Sequence, residues 1–279
     1  MSISLTAQMT TNLLSLQGTA KLMGITQNHL ATGKKVNSSI DDPVAFFDAD
    51  AHYSLANDYA TFKNGMSEAV QTIKGATDTI DSIKEILQQM KSVATSAKSA
   101  ETRVESKELL AQYRELMNQL DTLADDAMYK GVNLLQSDTL NVVFNTNDDK
   151  LAVSGFNAHA SGLAIVSGAS TLWGASTTSA LVAADLAAIS AAVTDVDDAI
   201  ATLRSEAKTL ASNLGIVTTR QSFTDKMIAT LRIGGDNLTL ADMNEEGANM
   251  LMLQTRQALG IQSLSMASQS AQQVLQLFR

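Results

Sequence analysis

The chain has 279 residues and a formal net charge of −9. An acidic chain without a basic cluster argues against binding to nucleic acid or to an anionic membrane surface. Cysteine is absent, which excludes disulfides, thiolate catalysis and cysteine-ligated zinc. Only 4% of residues are aromatic, so the composition favours long helices packed through small side chains over a bulky globular core.

The first segment carries an apolar stripe with the three- and four-residue spacing of an amphipathic helix. It has no charged side chain before Lys21, and the stripe runs through Leu5, Met9, Leu13, Leu16, Ala20, Met23 and Leu30. It also lacks the positive region and the continuous apolar run of a Sec signal peptide. No apolar run anywhere reaches the roughly 20 residues of a membrane span.

A polar break follows from Thr32 to Ser39, with Gly33 as its first flexible position. Asp41, Asp42 and Pro43 then mark the next helix start, because Asp42 can cap it and proline suits the first helical position. We expect this helix to span residues 44–97 and a third helix to span 104–128. The inward face of the long helix is Ile73, Ile80, Ile83, Leu87, Met90 and Ala94.

The middle of the chain changes character. Two β-prone segments around residues 145–149 predict a hairpin over 140–154, followed by a Gly-, Ser- and Thr-rich excursion to Ser179 that we expect to be exposed. Helical periodicity returns over 181–233. Gly234 and Gly235 predict a break, with Asn237 or Thr239 capping the last helix.

The last segment repeats the design of the first. Its stripe is Leu240, Met243, Met250, Leu253, Ile261, Leu264, Ala271, Leu275 and Phe278. After Arg256 no charge occurs until Arg279, and the flanks carry glutamine and serine, which can hydrogen-bond without burying charge. We therefore expect the two terminal helices to pair with each other and to pack against other copies of the chain.

These elements predict a mainly α fold: an elongated antiparallel helical bundle or coiled coil with paired terminal helices and a small β-hairpin and loop excursion. The predicted domains are a terminal-helix domain (1–33 plus 238–279), a long-helix coiled-coil domain (34–138 plus 181–237) and a short outward domain (139–180).

Two weak site patterns have simpler interpretations. Asp48 and His52 would share one helix face but Asp50 would point away, so a solvated patch is favoured over a metal site. Asn145, Asn147 and Asp149 begin like a calcium loop, but its glycine and glutamate positions hold Lys150 and Phe156, so a hairpin turn is favoured. We predict no catalytic, cofactor or metal site.

Several motifs, in order, resemble those of bacterial flagellins along almost the whole chain. They are the segments LATGKKVNSSIDDP at 30–43, YKGVNLL at 129–135, ADMNEE at 241–246, QTRQALG at 254–260, and the Leu-Phe ending of 271–278. The resemblance implies a structural subunit, not an enzyme, that self-assembles into the extracellular flagellar filament and is exported unfolded through the flagellar type III channel. It implies an export chaperone and hook-associated junction and cap proteins as partners, with no nucleic acid and no membrane insertion.

The residues expected to form the assembly interface are those of the two stripes. They are Leu5, Leu13, Leu16, Met23, Leu30, Met243, Met250, Leu253, Ile261, Leu264, Leu275 and Phe278. Three alternatives remain at this point: the hook–filament junction protein, a helical surface adhesin, and an enzyme. The chain has little aromatic material for a sugar pocket and no catalytic constellation.

One stretch departs from the flagellin pattern. Many flagellins carry an arginine-rich segment that an animal Toll-like receptor reads, and the resemblance places it at Leu87–Val93. Here Gln89 and Lys91 replace the arginines and Ser92 replaces the glutamate. Glutamine and lysine cannot make the bidentate contacts of arginine, so the resemblance implies weak receptor recognition.

Overall fold

The structure is a computed structural model that describes residues 7–165 and 183–277. Over these ranges it has five helices and one two-stranded sheet. The helices are α1 (Ala7–Thr32), α2 (Pro43–Lys98), α3 (Arg103–Asp126), α4 (Ala183–Thr239) and α5 (Met243–Leu277), and the strands are β1 (Thr139–Val143) and β2 (Lys150–Ser154). The predicted mainly α class is confirmed. No helix within the described ranges is long and apolar enough to cross a membrane.

By compactness the chain divides into two units, one made of Met1–Ala56 with Ala229–Arg279 and the other of Asn57–Ile228. We call them the terminal unit and the middle unit. Helices α2 and α4 contribute residues to both. The predicted three-domain division remains a prediction.

In the middle unit α2 and α4 run antiparallel, as their polar contacts show. Lys63 pairs with Asp225 at 2.6 Å, and the Gln221 amide donates to the Ser67 hydroxyl at 2.8 Å. Four residues forward in α2 therefore correspond to four residues back in α4. Helix α3 joins them through a buried ion pair of Arg103 with Asp185.

The middle unit has a continuous apolar core to which α2, α3, α4 and the hairpin all contribute. The predicted inward face of α2 is confirmed, since all six of its residues are essentially inaccessible to solvent. Large side chains dominate this core, including Tyr113, Leu120, Leu134, Leu135, Ile165 and Ile189. Burial of this kind stabilises a helix bundle by roughly 1.5–3 kcal/mol per large side chain.

The predicted hairpin is confirmed, with β1 and β2 antiparallel and Val142 opposite Leu151. Asn145 organises its turn, because its side-chain oxygen accepts the backbone N–H groups of Asn147 and Asp149. The expected exposure of the excursion is wrong for its described part, because the loop from 155 packs inward through Ala158, Ala160 and Ile165. The rest of the predicted excursion, including the Ser/Thr cluster at 167–179, lies outside the described residues.

The predicted break at Gly234 and Gly235 is wrong, because α4 continues without interruption to Thr239. A Cβ on Gly235 would lie 2.8 Å from Cζ of Tyr53. The Tyr53 hydroxyl donates to Asp236 at 2.7 Å. Glycine is therefore required here for close approach of α2, and the surrounding contacts keep the backbone helical.

The last helix also begins later than predicted, at Met243. Its first turn is capped by Asp242, whose carboxylate accepts the N–H groups of Asn244 and Glu245 at 2.8 and 3.3 Å. Neither Asn237 nor Thr239 has this role, since both still belong to α4. Aspartate at the N-cap satisfies N–H groups that a helix start leaves without partners.

Candidate assembly interface

The two terminal helices pair antiparallel, as predicted. The Asn12 amide donates to the Ser263 hydroxyl at 3.5 Å, near one end of the pair. Near the other end, Nδ1 of His29 lies 2.7 Å from a carboxylate oxygen of Glu246. Seventeen residues forward along α1 correspond to seventeen residues back along α5, so the register is maintained throughout.

Few large side chains fill the seam between α1 and α5. Among the residues whose side chains are described, Met9 is the buried apolar residue of α1 and Leu253 that of α5. Two further buried positions of α1 are threonines, Thr19 and Thr26. At the centre, Leu16 packs where α5 presents Gly260. This seam buries little apolar area, so the pair gains little stability from it.

The structure divides the predicted interface residues into two groups. Leu16, Met23, Leu30, Met250, Leu253 and Leu264 are buried or half-buried. Leu13, Met243 and Ile261 are exposed at 38%, 47% and 57%. Leu5 and Phe278 lie outside the described residues, and the side chain of Leu275 is likewise not described.

Sequence reasoning missed a further set of apolar side chains on the outer faces of both helices. They are Leu14, Leu22, Ile25, Leu251, Met252, Leu259 and Met266, all more than 40% exposed. In α5, Met252, Leu259 and Met266 recur every seven residues, so they lie along one side of the helix. The seven-residue spacing is visible in the sequence, but the sequence does not show which of the two apolar stripes faces the partner helix.

The connector between α1 and α2 is ordered by backbone contacts with the junction of α4 and α5. The N–H groups of Lys35 and Val36 both donate to the carbonyl of Thr239, at 2.8 and 3.3 Å, and that of Ala241 donates to the carbonyl of Gly33. Gly33 has a φ of +70°, a conformation that favours glycine. The predicted linker is therefore paired with a second connector.

Both predicted aspartates of the connector accept backbone hydrogen bonds. Asp42 accepts the N–H groups of Val44 and Ala45 at 3.0 and 3.1 Å, which confirms it as the N-cap of α2 before Pro43. The carboxylate of Asp41 accepts the N–H groups of Asn37 and Ser38, both at 3.0 Å. These two backbone hydrogen bonds lower the pKa of Asp41 below its ordinary value, and the bond from Asn37 has the larger effect.

The degenerate receptor positions lie on α2 in the middle unit. Lys91 is engaged within the chain, since its ammonium group lies 2.6 and 2.8 Å from the two carboxylate oxygens of Asp197. Gln89 and Ser92 line a groove of about 510 Å³ that also includes Leu116 of α3. Among the described residues, no group of three or more His, Asp or Glu side chains is placed to hold a metal ion.

In comparisons with known proteins, this chain is similar to bacterial flagellins. A sequence profile of the bacterial flagellin N-terminal helical region matches residues 3–139. Flagellin FljK of Caulobacter vibrioides is 32% identical over 58% of this chain and 56% of its own length, so the match spans little more than half of that relative. Flagellin FljO of the same organism is 27% identical over 96% of this chain and 94% of its own length.

A shorter match and a solved structure complete the comparison. Flagellin A of Rhizobium meliloti is 39% identical over 33% of this chain and 24% of its own length. The crystal structure of Bacillus cereus flagellin covers 57% of this chain and 88% of its own, with a TM-score of 0.46 at 17% identity. A likeness at that level supports no structural argument.

Proposed function

We propose that this chain belongs to the bacterial flagellin family and is a structural subunit that self-assembles into the helical filament of the flagellum. Flagellins are structural proteins, not enzymes. The observation that carries the proposal is the state of the terminal pair, where seven outer apolar side chains stay exposed while the seam buries few of the side chains that the structure describes. Exposed apolar surface of this extent is typical of protein–protein contact sites.

The proposed mechanism is head-to-tail packing of the terminal pairs. Different faces of one subunit would meet complementary faces of its neighbours, so the contact repeats along a helix without closing. The exposed side chains around Leu14 and Leu259 would become buried, while the half-buried seam residues such as Leu16 and Leu264 would hold the pair together. In that assembly the terminal pairs would form the inner tube.

The proposal extends to location and partners. We infer an extracellular position in the flagellar filament, reached by type III export of the unfolded chain. A weakly packed terminal pair is compatible with such export, since little stability has to be overcome to keep it unfolded. An export chaperone and hook-associated junction and cap proteins are the partners we propose.

We also infer weak recognition by the animal flagellin receptor. Gln89 cannot replace an arginine, and Lys91 offers a single charge in place of a planar fork. Its pairing with Asp197 further reduces its availability. Purified monomer should therefore activate receptor-bearing cells poorly.

Seeded polymerisation followed by electron microscopy tests the main proposal. Leu259→Asp places a carboxylate on the outer face, where 66% exposure keeps the monomer unaffected. In a polymer the same carboxylate would be buried without a partner at a cost of several kcal/mol per subunit. We expect no filaments from Leu259→Asp or from a chain lacking residues 261–279, and normal filaments from the control Leu259→Met. Normal filaments from Leu259→Asp would overturn the proposed interface.

A further inference from the structure

The outer face of α5 carries two exposed methionines. Met252 and Met266 are each 54% exposed, and Leu259 between them is 66% exposed. The three residues follow one another at seven-residue intervals along one side of the helix, so the two methionines lie roughly 21 Å apart along its axis. Both thioethers are therefore open to solvent in the single chain, on the face that we propose for assembly.

Other methionines of the chain differ from this pair in burial or in position. Met66 and Met90 are fully buried in the core of the middle unit. Met243 is 47% exposed, but it precedes Met252 by nine residues, which is about two and a half helical turns. Met243 therefore lies on the opposite side of α5 from the outer apolar side chains.

The chemistry open to these side chains is oxidation at sulfur. Because the chain has no cysteine, its thioethers are its only sulfur atoms. The sulfur lone pair attacks one oxygen of hydrogen peroxide, the O–O bond breaks, and the second oxygen leaves as water. Sulfur is oxidised by two electrons and the peroxide is reduced by two. The product is a sulfoxide, in which a flexible apolar side chain has become polar.

We propose that Met252 and Met266 are modification sites for peroxides, and that their conversion to sulfoxides keeps the monomer out of the filament. The effect on assembly rests on the proposed function, in which other copies of the chain cover this face. Water solvates a sulfoxide on the monomer, whereas a covered sulfoxide loses that water. We therefore expect oxidation of both positions to raise the critical concentration for polymerisation about tenfold or more.

Mild treatment of the full-length monomer with hydrogen peroxide, followed by peptide mass spectrometry, gives the order of oxidation. We expect Met252 and Met266 to react at least about tenfold faster than Met66 and Met90, since a buried thioether reacts only when its unit opens. Equal rates for the exposed and the buried pair would overturn the assignment of the sites.

Seeded polymerisation of the oxidised chain measures the effect on assembly, because the protein left in solution beside the filaments gives the critical concentration. Methionine sulfoxide reductases for the two epimers remove the oxygen as water while a dithiol is oxidised to a disulfide. This treatment should restore the critical concentration of the untreated chain. A critical concentration that stays high after both sulfoxides are reduced would contradict the proposal.

Two variants assign the effect to these positions. The double variant Met252→Leu with Met266→Leu removes both sulfur atoms with little change in volume, so peroxide should leave its critical concentration unchanged. Met243→Leu is the matched control, since it removes an exposed sulfur from the other side of α5 and should stay as sensitive as the wild type. A double variant that loses polymerisation as the wild type does would assign the effect to another residue.

Failure of this inference differs from failure of the proposed function. If the untreated and the oxidised wild type polymerise at the same critical concentration, the inference is wrong and the proposed function stands. If the untreated chain forms no filaments, the proposed function is overturned, and the effect of oxidation on assembly with it.

Discussion

The middle unit and the terminal pair are built from helices with the same three- and four-residue apolar spacing, yet they use it differently. In the middle unit the stripe of α2 is wholly buried, with Ile73, Ile80, Ile83 and Leu87 inaccessible to solvent. In the terminal pair, Leu14, Leu251 and Leu259 stay more than 60% exposed within the single chain. The same pattern thus forms a fully buried core in one region and leaves apolar side chains exposed in the other.

The contrast also involves polar groups. The middle unit has a buried ion pair, Arg103 with Asp185, and a continuous apolar core. The seam of the terminal pair contains threonines and a half-buried His29–Glu246 contact, with few large apolar groups around them. A region of the first kind can fold alone, whereas one of the second kind needs further protein to cover it.

The largest expected effect is in the middle unit, at the buried ion pair. Asp185→Leu removes the carboxylate beside a buried guanidinium and should lower the free energy of unfolding by ~3–5 kcal/mol. Urea denaturation of the monomer, followed by circular dichroism, measures it. The double variant Arg103→Met with Asp185→Leu should recover most of the loss. If the free energy of unfolding of the single variant fell by less than about 1 kcal/mol, that would contradict the burial of the ion pair within the middle unit.

A smaller effect is expected where α2 meets α4 in the terminal unit. Gly235→Ala would place a methyl group against the ring of Tyr53, and overpacking of this kind costs ~1–3 kcal/mol. Gly247→Ala is the matched control, since nothing lies within 4 Å of its Cβ position, and helix propensity should stabilise it by roughly 0.5–1 kcal/mol. Differential scanning calorimetry should show a lower Tm for Gly235→Ala and a higher Tm for Gly247→Ala. Equal shifts in Tm would contradict the requirement for glycine where α2 approaches α4.

The smallest effect is expected in the connector. Because the folded pKa of Asp41 is lowered, its contribution is present above the unfolded pKa and is lost as the pH falls through the folded value. Hydrogen exchange at the Asn37 and Ser38 amides, corrected for intrinsic rates, should show less protection at pH 3 than at pH 5. Asp41→Asn should abolish the difference, and its persistence in that variant would point to another group.

Much of the fold can be predicted from local sequence patterns. The inward face of α2, the hairpin and the Asp42 cap each depend on residues close together in the chain, so periodicity and capping chemistry suffice to predict them. The pair Gly234–Gly235 predicts a break because glycines in sequence usually interrupt a helix. Here the reason for glycine is Tyr53, which is 182 residues away in sequence and becomes adjacent only in the fold.

The interface could be predicted only in part, for a related reason. A three- and four-residue stripe identifies an apolar helix face, but a helix pair that also assembles has two such faces. Leu16 and Ile261 therefore entered one predicted set, although the first packs within the pair and the second stays exposed. Thr19 and Thr26 were missed because a polar residue in a seam carries no apolar signal.

The most direct test of this account compares amide hydrogen exchange of α1 and α5 in the monomer and in the assembled filament. In the monomer we expect both helices to exchange much faster than the Ile73–Leu87 segment of α2, since few buried contacts hold them. In the filament their protection should rise to the level of that segment. Terminal helices as protected in the monomer as the middle unit would contradict the claim that other copies of the chain complete them.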